Sequence, residues 1–170
     1  YQFSQDVKIT MVLELPEFSE HSSLHIKVGE DTIFHNADTS LSNESLELLN
    51  KTFGPTDLYI GQYSASSPFP HVMDWDYSKK LENFSEHLNW SMRRCCDAIN
   101  ILEAKYAIPC AGPAIAFDSY THEEKISLLK ENEGAYDKEG LFKKIETGIG
   151  ETSLLSMEPG DTVNLTELKK

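Results

Sequence analysis

The chain has 170 residues, 39% hydrophobic and 10% aromatic, which is enough for a buried core and too apolar for a disordered segment. With 28 Asp and Glu against 15 Lys and Arg, the net charge is -13. That balance argues against nucleic acid and anionic membrane surfaces as partners, because the chain would repel phosphate rather than displace its counterions. No stretch approaches the roughly 20 apolar residues of a membrane span. No secretory leader is visible, and Tyr1 opens in what already reads as strand.

Residues 7–14 alternate apolar and polar with β-branched side chains, which predicts a half-buried strand. A loop follows over 15–22. Leu24-His25-Ile26-Lys27-Val28 alternates again, and Gly29-Glu30-Asp31 turns it into Thr32-Ile33-Phe34-His35, a hairpin with a slightly long turn. Asp38-Thr39-Ser40 offers N-cap chemistry for a helix over 41–53, which Gly54-Pro55 ends. The strand over 56–63 comes next. Strand, helix, strand is a crossover unit and favours parallel pairing.

The longest helical pattern spans 78–106, with Leu81, Phe84, Leu88, Met92, Cys95, Cys96, Ile99, Leu102 and Tyr106 at three- and four-residue steps. That stripe reads as core contact. Pro109 and Gly112-Pro113 close a strand over 106–110, and amphipathic stretches follow over 122–132 and 138–147. Residues 153–163 read as strand, Pro-Gly-Asp turn, strand. With no repeat, low-complexity tract or linker, 1–170 is expected to form one unit.

Cys95, Cys96 and Cys110 are odd in number and two are adjacent, which suits a reducing compartment. The five Asn-x-Ser/Thr sequons, at Asn43, Asn50, Asn83, Asn89 and Asn164, are read as chance in a Ser/Thr-rich chain. The expectation is a cytoplasmic protein.

Two strands and a strand-to-loop turn converge on a candidate site. The apolar strand that opens at Thr56 empties into Ser64-Ala65-Ser66-Ser67-Pro68-Phe69-Pro70, where proline ends any ladder. Ligands of α/β folds gather beyond the carboxyl ends of strands. Asp38 follows another apolar strand, and its carboxylate either caps the next helix or binds a ligand. Nearby imidazoles favour a metal, because carboxylate and imidazole together suit Zn, Fe or Mn. His21, with Glu17 four residues earlier, lies in the loop before the hairpin and is either solvated or a ligand. His25 should face away from Leu24 and Ile26 and reads as structural, while His35 is open to either layer. His71 is a ligand or acid–base candidate. His87 and His122 read as surface or cap residues. Cys110 reads as a small core residue, with no local histidine to activate it. No phosphate-binding loop, dinucleotide fingerprint or nucleophile elbow is present.

In order, His21-Ser-Ser-Leu-His-Ile-Lys-Val-Gly29, Thr32-Ile-Phe-His-Asn-Ala-Asp38, Asp57-Leu-Tyr-Ile-Gly-Gln-Tyr-Ser-Ala-Ser-Ser-Pro-Phe-Pro70, Ile108-Pro-Cys-Ala-Gly-Pro113 and Met157-Glu-Pro-Gly-Asp161 resemble the second half of metallo-β-lactamase-fold proteins. The branch they look most like is that of CMP-N-acetylneuraminate hydroxylase, and the resemblance covers roughly 140 residues. It implies an α/β fold, part of a four-layer αββα sandwich with a mixed sheet and flanking helices. It further implies a divalent metal, Zn or Fe, with Asp38 as a ligand and Glu17 or His21 as a second. Tyr63, Ser64, Ser66, His71, Cys110 and Gly112 would line the substrate side.

The chain departs from the family where its His-x-His-x-Asp-His motif is concerned, since no such motif occurs. The Cys/His set of a Rieske domain is also missing, and 114–117 offers no final histidine ligand. The resemblance therefore implies an enzyme acting on a small sugar- or nucleotide-linked substrate only when the N-terminal half or a partner subunit completes the site. The alternative is a metal-free binding or scaffold domain. A half-sandwich would leave one apolar sheet face bare.

Overall fold

The structure, a computed structural model, describes residues 2–4, 6–13, 22–36, 39, 41–63, 69–70, 72–110, 119–131 and 138–169. Its seven-stranded mixed sheet has strands in chain order: β1 (Gln2–Ser4), β2 (Val7–Leu13), β3 (Ser22–Val28), β4 (Asp31–Asn36), β5 (Leu58–Gln62), β6 (Tyr106–Cys110) and β7 (Ser153–Leu154). β1 to β4 pair antiparallel, and β4 to β7 pair parallel. The helices are α1 (Asn43–Phe53), α2 (Tyr77–Ile101), α3 (Ser119–Glu131), α4 (Lys138–Glu146) and the one-turn α5 (Leu165–Leu168).

The β3–β4 turn is Gly29-Glu30 alone, one residue shorter than the sequence suggested, with Gly29 at φ 58. A positive φ costs glycine nothing, so the tighter turn is available here. α1 starts at Asn43, and its N-cap is Ser42, whose hydroxyl accepts from the Ser45 N–H at 3.2 Å. The expected cap at Asp38-Thr39-Ser40 is thus corrected: a cap must sit within a turn of the amides it satisfies. Gly54, at φ 81, ends α1 as expected.

α2 runs from its Asp76 cap to Ile101, stopping short of the predicted 106. Glu103 turns the chain at φ 48, and the Ala104 N–H reaches back to Ile99 O at 3.0 Å. Tyr106 belongs to β6 instead of the helical stripe. In the tail, β7 is two residues long. The Pro159-Gly160 turn forms, closed by Asp161 N–H to Glu158 O at 3.0 Å, but 161–163 form no second strand and α5 follows at Leu165.

Right-handed crossovers that always step the same way along a sheet keep their helices on one face. The strand order here is of that kind, and α1, α3 and α4 all pack against α2. Phe34, Tyr59 and Ala107 of the sheet share one core with Phe84, Leu88, Met92, Cys95 and Ile99 of α2, Leu128 of α3, and Leu141 and Ile145 of α4. The α2 stripe is therefore core.

The other face is another matter. The register aligns Ile9 with Ile26, Ile26 with Ile33, Ile33 with Leu58, His35 with Ile60 and Ile60 with Ile108. Met11 pairs with Leu24, and Val7 with Val28. Met11 and Leu13 are 60% exposed and Val28 43%. An antiparallel sheet facing water normally carries polar residues there; this face is apolar. Among the described residues only α5 and the segment leading to it lie on this face, over Ile33 and Leu58 and beside the exposed Val28. No described helix is long and apolar enough to cross a membrane.

Candidate functional site

Because β4, β5 and β6 run parallel, the chain leaves Asn36, Gln62 and Cys110 at one edge of the sheet. Gln62 lies opposite Cys110, and the Tyr63 N–H donates to Cys110 O at 3.2 Å. Tyr63 and Cys110, two of the residues expected on the substrate side, are thus brought together by the last bond of the β5–β6 ladder. Tyr63 is buried and edge-on to Phe142, with centroids 6.5 Å apart. Burial pushes its phenol up, with Cys110 and Cys95 adding to the effect. Burial likewise pushes the Cys95 and Cys96 thiols up, so neither is a poised thiolate. Cys110 is half-buried.

Beneath this edge a short polar chain crosses the helix-covered face. Ser23 Oγ donates to Asn36 Oδ1 at 2.7 Å, and Asn36 Nδ2 donates to the Tyr59 hydroxyl at 3.3 Å. Tyr59 lies flat along its strand because Gly61 has no side chain: a Cβ there would overlap the Tyr59 ring. Thr39, just past β4, is buried, and its hydroxyl has no hydrogen-bond partner among the described residues.

The helical side of the edge carries a ladder of rings and cations that the sequence reading missed. The Arg94 guanidinium donates to Leu41 O and sits 5.7 Å over the Trp90 ring. Trp90, 48% exposed, stacks on His87 at 5.9 Å. Phe69 meets His87 and Trp75 edge-on at 6.1 and 5.7 Å, and Lys79 lies 4.2 Å over Trp75. His87 was expected at the surface or in a cap. It is instead half-buried in this stack, and its Nε2 is buried with no hydrogen-bond partner among the described residues. The spacing of His87, Trp90 and Arg94 at i, i+3 and i+7 was the available signal, since such residues share a helix face.

The remaining histidines sort by register. His25 is buried and stacked on Phe53 at 4.1 Å; burial, then Lys8 and Lys27, holds its pKa down. It is structural, as expected. His35 points to the uncovered face beside Leu24 and Ile60. His122 lies in the first turn of α3. Glu17, His21, Asp38, Ser64, Ser66, His71 and Gly112 lie outside the described residues. Among the described residues no three His, Cys, Asp or Glu side chains cluster as a metal centre would require.

A second polar cluster, also unforeseen, sits at the opposite edge of the sheet. The Asp57 carboxylate accepts from the Thr32 N–H at 2.9 Å, Lys105 Nζ at 2.7 Å and Lys169 Nζ at 3.0 Å. Burial opposes its ionisation, but these donors outweigh it and hold the carboxyl at about 2. It lies at the amino ends of β5 and β6, where it ties three chain segments together.

No family model and no curated protein matches the sequence. Among solved structures, the chain is similar to a variant of CmlA beta-hydroxylase, with a TM-score of 0.44 and 11% identity. The match covers 90% of this chain and 30% of that one.

Proposed function

We propose that this chain is one sheet-and-helix half of a metallo-β-lactamase-type enzyme, a metal-dependent hydrolase or oxygenase whose site is completed by a second half. The observation that supports this most directly is the uncovered apolar face of β2 to β6. Fully burying a Val, Leu, Ile or Met side chain contributes about 1.5–3 kcal/mol. Completing the burial of half a dozen such side chains would add on the order of 5–10 kcal/mol, an upper estimate, to any covering association. The partner that fits is another sheet with an alternating apolar face, either the N-terminal half of the same domain or a separate subunit.

In this reading Asp38 is a metal ligand, with Glu17 or His21 as a second and Zn or Fe as the metal. Ser42 supports that role indirectly, because it fills the capping position that competed for Asp38. Tyr63 and Cys110 would stand on the substrate side with Ser64, Ser66, His71 and Gly112. The substrate would be a small polar molecule, sugar- or nucleotide-linked, although a net charge of -13 disfavours strongly anionic ligands. The cysteines, odd in number with two adjacent, fit a reducing, cytoplasmic setting.

The test is metal analysis of the chain purified together with whatever covers its sheet. Stoichiometric Zn or Fe, lost in Asp38→Ala without loss of the fold, is the expected result. A covered, folded complex with no bound metal would instead favour a binding or scaffold domain. The exposed Trp90 and its ladder are the observation on that side, since a stacked ring surface serves recognition without chemistry.

A further inference from the structure

The bare sheet face is not bare at its lower end. There α5 and the residues before it lie across Ile33 and Leu58 and beside Val28, with Val163, Leu165 and Leu168 half-buried while their neighbours face solvent. Leu58 is 4% exposed under this segment, against 60% for Met11 and Leu13 beyond it. An open groove of about 710 Å³ runs along the segment where it meets the sheet. What fastens the segment is polar and terminal. Tyr106 Oη donates to Leu168 O, and Lys169 Nζ bridges Asp31 and Asp57. One helical turn has no stability of its own, so its order depends on those contacts.

We propose that residues 162–169 are a detachable strap, latched by Lys169, that occupies part of the apolar face on which a second sheet would pack. The competition between strap and sheet rests on the reading above; the strap itself does not. In the isolated chain it lies over the Ile33 and Leu58 end of the face, and a docking sheet must displace it or pack around it. Breaking the latch should therefore loosen the strap without touching the core on the helical side.

Hydrogen exchange of the purified chain tests this, reading the Glu167 and Leu168 amides that bond to Asn164 O. Lys169→Glu places a carboxylate against Asp31 and Asp57, and exchange at these two amides should rise about tenfold, with a matching rise in 1-anilinonaphthalene-8-sulfonate fluorescence. Tyr106→Phe, which removes the bond to Leu168 O, should move both readouts the same way. Lys143→Glu, the same charge change on α4, should leave both unaltered. Unchanged exchange and dye binding in Lys169→Glu and Tyr106→Phe would overturn the proposal, as would an equal effect from Lys143→Glu. A rise in exchange with no change in association supports the strap while counting against the two-sheet reading, so the two fail separately.

Discussion

Asp57 and Gly61 show how single residues hold this molecule together. The Asp57 carboxyl falls from 3.8 to about 2 on folding, so its contribution is present above about pH 4 and is lost as the pH falls toward 2. That shift corresponds to about 2 kcal/mol at neutral pH. Asp57→Asn should lose roughly that amount in urea unfolding at pH 7, and the gap to the parent should narrow as the pH drops below about 4. A pH-independent gap would show that the ion pairs are not its source. Gly61→Ala forces a Cβ into the Tyr59 ring and should cost about 1–3 kcal/mol by overpacking. Had nothing crowded Gly61, the alanine would be neutral or would stabilise by up to about 1 kcal/mol. Neither residue was singled out from the sequence. Asp57 reads as a polar residue opening a strand, and only the fold brings Lys105 and Lys169 to it from 48 and 112 positions away along the chain.

At the scale of elements, alternation and helical stripes located β2 to β6 and α1 to α4 to within a few residues. Local periodicity records which face each segment buries, and that is enough for position and type. Ends were less legible. Ser42 and Asp38 are both good capping residues, and nothing local decides between them; the structure selects Ser42. Ser42→Ala should therefore cost about 1 kcal/mol in thermal or urea unfolding. Asp38→Ala in the metal-free chain should cost the helix nothing comparable, and a loss as large as that of Ser42→Ala would restore the capping role. The tail misled because β-branched and turn residues over 153–163 suggest a hairpin. The pairing of β7 with β6 ends after two residues, and the chain crosses to the other face. Of the candidate site, the convergence of the β5 and β6 ends was legible, because crossover topology dictates it. The ring ladder was not, because it joins Phe69 and Trp75 to a distant part of α2.

The described residues form a singly wound sheet with α1 to α4 on one side and α5 on the other. The parallel strands carry apolar residues on both faces, and among the described residues α1 to α4 cover one face while only α5 and the segment before it lie on the other. Sequence alternation in β3 already put Leu24, Ile26 and Val28 on one side and His25 on the other. Among the described residues the apolar side is the one that α1 to α4 leave uncovered. In the proposed reading this face is the one the second half would cover. Sedimentation equilibrium of the purified chain tests that claim most directly. The parent should show a mass that climbs above 19.2 kDa with concentration, and Ile26→Glu, at the centre of the face, should return it to the monomer. A parent chain that stays at 19.2 kDa across the concentration range, with no dye binding to its sheet, would contradict the account.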